Sequence, residues 1–142
     1  MKNWRWIVVT LLFGVPAFLT GKKIWPASTE MAPNAAQLPF FIFLSALEAV
    51  AFGIGVSFLL FGYPLIKKVS TGSRNLALLM YLTISWLLIS WWPHDNMHAA
   101  NGTNMDGLLR IEYIFHSTLI VSALILAYCF FRVFSTSKAK GK

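Results

Sequence analysis

The chain has 142 residues, 57% of them hydrophobic and only 12% charged, with a mean hydropathy of +0.64. Soluble domains carry about a quarter charged residues, so this composition excludes a fold whose whole surface meets water. The net charge of +7 does not point to nucleic acid, because the lysines and arginines punctuate apolar runs and form no groove-sized patch with aromatics.

A helix needs about 20 apolar residues to cross a bilayer. Four stretches qualify, which predicts an all-α integral membrane protein: a four-helix up-down-up-down bundle forming one domain over residues 1–142. The first span runs from about Trp4 to Gly21. Trp4 and Trp25 bracket it about 31 Å apart at the helical rise, which suits an aromatic anchor at each interface. Its basic start and apolar middle also occur in signal peptides, but "VPAFLTGKK" holds no small-x-small cleavage site and ends in lysines. It therefore reads as a retained helix.

An outer loop carrying Pro26 and Pro33 leads to the second span, Leu38 to Ile66, which is long enough to tilt. Ser45, Ala49, Gly53 and Ser57 recur along it at steps of four, a small-residue face that lets membrane helices approach closely. After the polar turn "VSTGSR" comes the third span, Asn75 to Trp92, with Thr83, Ser85 and Ser90 as its small polar residues. The fourth span, Gly107 to Phe134, offers Ser117, Ala123 and Ala127 for the same purpose. Cys129, the single cysteine, lies within it and reads as a packing residue. "NGT" at 101–103 matches a glycosylation sequon, a weak signal at three residues.

Basic residues orient the chain. With the N-terminus inside, the inner segments hold nine of them (Lys2, Arg5, Lys67, Lys68, Arg74, Arg132, Lys138, Lys140, Lys142) and the outer segments three (Lys22, Lys23, Arg110). That bias predicts an N-in/C-in topology in a plasma membrane, such as the bacterial inner membrane, with "HDNMHAANGTNMD" facing outward.

All three histidines fall in two short segments at that outer end, "WWPHDNMH" and "IEYIFH". Glu112 and His116 are one turn apart on one helical face. His94 and His98 share that spacing if the helix continues past Pro93, which can occupy a first helical turn, with Gly102 ending it. Counting from an assumed membrane entry on each helix, His116 and Glu48 both lie about 12 Å deep. His94 lies at the boundary, about 10 Å shallower than His116. A glutamate in hydrocarbon costs about 2.5–3.5 kcal/mol, so Glu48 should seek a partner, and His116 is the natural candidate.

Three readings follow. In the first, His94, His98, Glu112 and His116, with Glu48 or Asp95 as further ligands, bind a transition-metal ion; imidazole and carboxylate suit Zn, Fe, Cu or Mn. The spacing is Glu-x-x-x-His and occurs once, unlike the paired Glu-x-x-His of di-iron bundles. In the second, Glu48 and His116 carry protons through a small, oligomeric carrier or channel. In the third, the polar residues serve packing alone, Asp106 pairs with Arg110, and the chain is an accessory subunit of a membrane complex. A haem held between His94 and His116 is disfavoured by their difference in depth. No nucleophile–base pair, phosphate loop or cysteine pair supports hydrolytic, nucleotide or thiol chemistry.

Overall fold

The computed structural model describes residues 4–22, 34–70, 73–101 and 104–140, the last five as backbone. Lys2, Lys23, Trp25, Pro26, Pro33, Gly102, Thr103 and Lys142 lie outside the described residues, as do the side chains of Lys138 and Lys140. Every element is a helix: α1 Trp4–Leu19, α2 Leu38–Phe61, α3 Tyr63–Val69, α4 Arg74–Ile89, α5 Trp91–Asn101 and α6 Met105–Lys140.

Local chemistry explains the boundaries. Asn34 accepts a hydrogen bond on its Oδ1 from the Gln37 N–H at 3.0 Å, capping the turn that leads into α2, and Pro39 sits in the first turn, where its missing N–H costs nothing. The predicted second span breaks at Gly62 because Pro64 cannot donate to the preceding turn, and α3 continues as a separate short helix. Ser73 caps α4 through Leu76 N–H. Pro93 does not end the rod. Ser90 N–H donates to Trp86 O and His94 N–H to Ser90 O, so α4 and α5 run on as one helical rod of 28 residues, Arg74–Asn101.

Three rods are long and apolar enough to cross a membrane: Leu38–Phe61, Arg74–Asn101 and Met105–Ser135. The first predicted span is a shorter apolar helix of 16 residues, about 24 Å at the helical rise. The residue distribution suits lipid as the solvent. Ser45, Ser57, Thr83, Ser85 and Ser90 are buried, while Leu12, Tyr113, Leu124 and Phe131 are exposed.

The substantial contacts join α1 to α2, α2 to α4 and α4 to α6, with α5 between α2 and α6. This is an open series. A ring-closed bundle would bring α6 back onto α1, and no substantial contact of that pair occurs among the described residues. The small-residue face of α2 is buried along its length, at Ser45, Ala49, Gly53 and Ser57. There Ser57 Oγ donates to Trp6 O at 3.1 Å and lies 2.8 Å from Thr10 Oγ1, tying α1 to α2 through two polar contacts. On α6 the small residues do not pack as expected: Ser117, Ala123 and Ala127 are exposed, and Phe115 and Cys129 are buried instead.

At the end away from the histidines, Ile66, Ala77, Met80 and Cys129 form the apolar core, with Phe58, Tyr63 and Ile125 around them. Cys129 is 0% exposed. A membrane-permeant maleimide should therefore leave it unlabelled in mild detergent and label it fully in SDS; rapid native labelling would contradict this core.

Candidate metal centre

The site begins with how α5 is held. Ala17 O, near the end of α1, accepts the indole N–H of Trp92 at 2.9 Å, which satisfies one of the carbonyls a helix end leaves over. Asn96 donates to Trp92 O and accepts from Lys22 N–H on its Oδ1. These bonds fix the face of α5 opposite α6.

The other face presents His94 and His98, one turn apart, with their Nε2 atoms 3.1 Å from each other. Phe115 from α6 stacks on the His94 ring, centroids 3.8 Å apart and planes 22° apart, and Trp91 packs edge-on against Phe115. His94 is buried and its Nδ1 lies 3.2 Å from Asp95 Oδ1. A neutral imidazole that donates from Nδ1 to this carboxylate has its lone pair on Nε2, facing His98 and α6.

Glu112 completes the arrangement from α6. Its Oε1 is 2.7 Å from His98 Nε2 and 3.8 Å from His94 Nε2, and its Oε2 is 2.6 Å from His116 Nδ1. One carboxylate thus engages both helices. Asn104 Oδ1 accepts from Gly107 N–H and starts α6 in the register that puts Glu112 there.

His94, His98 and Glu112 each offer one ligand atom to a common point. The separations of 2.7, 3.1 and 3.8 Å straddle the roughly 3.0–3.5 Å between donors on a metal with bonds of about 2.0–2.1 Å. A point about 2 Å from all three atoms lies just off their plane, so the group could hold a metal ion.

The expected residues do not all converge. His94, His98, Glu112 and His116 come together; Glu48 does not join them. It lines a small niche of about 10 Å³ with Ser45, Trp92, Asp95 and Asn96, on the side of α5 that faces α1 and α2. The partners of His116 are Glu112 and the rings of His94 and Phe115. Equal depth did not produce contact because α4 and α5 stand between α2 and α6.

His94 and His116 are not separated by the expected depth of about 10 Å, since their ring centroids are 5.8 Å apart. Depths counted from separate entry points ignore the tight hairpin between α5 and α6. The return of α6 along α5 brings His94 beside Glu112 and His116. Asp106 and Arg110 form no ion pair among the described residues, which removes one pairing assumed in the packing reading. Sequence reasoning did not anticipate the Phe115–His94 stack, although Phe115 precedes His116 on the same turn and so flanks the cluster. No protein-family model, curated protein or solved structure matches this chain.

Proposed function

We propose that this chain is a multi-pass membrane protein that binds one divalent transition-metal ion through His94 Nε2, His98 Nε2 and Glu112 Oε1. The observation that carries the reading is the triangle of donor atoms at 2.7, 3.1 and 3.8 Å contributed by two helices. Two imidazoles and one carboxylate set nearly in one plane around an ion leave further coordination positions open above and below that plane for water or a small ligand, as in sites that do chemistry; Zn, Fe, Cu and Mn accept this donor set. His116 would orient the carboxylate through Oε2, and Asp95 would hold the His94 tautomer, the supporting roles that metal-bound groups need. The nine-to-three distribution of basic residues supports four crossings, α1 included, with both termini inside a plasma membrane and the metal on the outer side.

One observation favours a second reading. Several contacts in the cluster also suit hydrogen bonds, including 2.6 and 2.7 Å from Glu112 to two imidazoles, so the cluster would join α5 to α6 without an ion in an accessory subunit. A proton carrier built on a Glu48–His116 pair has no such support.

Metal analysis separates the two. Protein purified in mild detergent without chelator, then offered Zn(II), Mn(II), Fe(II) or Cu(II) and desalted, should retain about one ion per chain for at least one metal. Retention below about a tenth of an ion for all four would overturn the metal reading.

A further inference from the structure

We infer that the groove between the α4–α5 rod and α6 is a binding site for one anionic phospholipid, with its phosphate on Arg110 and one acyl chain laid along the groove. The upper part is a cleft of about 200 Å³ lined by Trp86, Ser90, His94, Met97, Arg110 and Phe115 among others. The lower part is a more open cleft of about 450 Å³ lined by Trp86, Ser117, Thr118, Val121 and Ser122. Trp86 lines both, so the two clefts adjoin at its indole along the face of α6. From Arg110 to Ser122 they span about 18 Å at the helical rise, roughly one leaflet of a 30 Å hydrocarbon core.

Three features select the occupant. The length and apolar walls suit a single extended chain. Arg110 stands at the end bearing the polar turn between α5 and α6, exposed and with no carboxylate partner among the described residues, so an anion there gains a charge-assisted contact. Ser90 is 3% exposed, lines the upper cleft, and its Oγ has no hydrogen-bond partner. A buried hydroxyl without a partner is costly in hydrocarbon, and once it rotates toward the cleft an ester carbonyl below the phosphate is the acceptor a lipid would bring to it. Ser90 lies seven residues before Met97 at the rim, about 10 Å along the helix, a depth an acyl ester can reach. Of the three proposed metal ligands only His94 lines the cleft; His98 and Glu112 do not.

The test is retention of lipid by the full chain in nanodiscs of equal phosphatidylglycerol and phosphatidylcholine, released into detergent and read by native mass spectrometry. Wild-type protein should carry phosphatidylglycerol in several-fold excess over phosphatidylcholine. Arg110→Gln should bring the ratio to that of the bulk lipid, and Ser90→Ala should reduce retention several-fold. Val121→Trp, which blocks the lower cleft without touching charge, should also release the lipid. Soluble glycerophosphoglycerol, which lacks chains, should fail to compete. Equal retention of the two lipids by wild type, undiminished phosphatidylglycerol on Arg110→Gln, or displacement by the chainless headgroup would each overturn the proposal.

Discussion

Glu112→Gln should abolish metal retention, lowering affinity by more than about a hundredfold, and His98→Ala should do the same. The amide keeps the shape of the glutamate, so packing between α5 and α6 is preserved while the anionic donor is lost. His116→Ala should act differently. Its imidazole reaches Oε2, the carboxylate oxygen turned away from the His94–His98 pair, and is half exposed. Removing it frees the carboxylate to rotate without deleting a ligand, so the expected loss is about 10-fold to 100-fold. Asp95→Asn should fall in the same range, because an amide holds the His94 tautomer less firmly than a carboxylate. Competition against a chromophoric chelator measures all four variants. Affinity should also fall as pH is lowered, because a protonated imidazole has no lone pair to offer. If His116→Ala proves as damaging as Glu112→Gln, the ligand set must include His116 and the carboxylate must bind in a different rotamer.

Much of this was legible from residue patterns because membrane helices obey few rules. The Leu38 and Gly107 starts were within two residues of α2 and α6, since length and hydropathy alone mark a span. The Ser45–Ala49–Gly53–Ser57 face was buried as read, because in lipid small residues are what permits contact. The Glu112–His116 pair followed from helical geometry alone. The rest depended on quantities that spacing does not carry. Helix rotation decided that Glu48 would look toward Asp95 and Asn96 instead of His116. Hairpin register decided that the His94 and His116 rings would lie 5.8 Å apart. Whether Pro93 would stop the third span depended on its place in the first turn of α5, where only one upstream carbonyl loses its partner. Pro64 occupies an equally early position in α3, and Gly62 before it keeps helical backbone angles much as Ser90 does before Pro93.

The fold should be most sensitive at Gly53. A Cβ there would collide with the carbonyl oxygen of Thr10 and lie 3.1 Å from Gly14 N and 3.2 Å from Gly14 Cα. All three are backbone atoms, which cannot rotate aside as a side chain would, so relief requires α1 to move off α2. That displacement strains the Thr10–Ser57–Trp6 hydrogen bonds, each worth about 0.6–1.7 kcal/mol in a bilayer. It also draws Ala17 O away from the Trp92 indole that fixes α5. Gly53→Ala should cost about 1–3 kcal/mol and Gly53→Val more, read as loss of folded protein in a detergent–SDS titration. Ser57→Ala, which removes only the hydrogen bonds, should cost less than Gly53→Val. A Gly53→Val protein as resistant to SDS as wild type would mean that α1 does not rest on α2 in this register, and the anchoring of the histidine helix through Trp92 would fall with it.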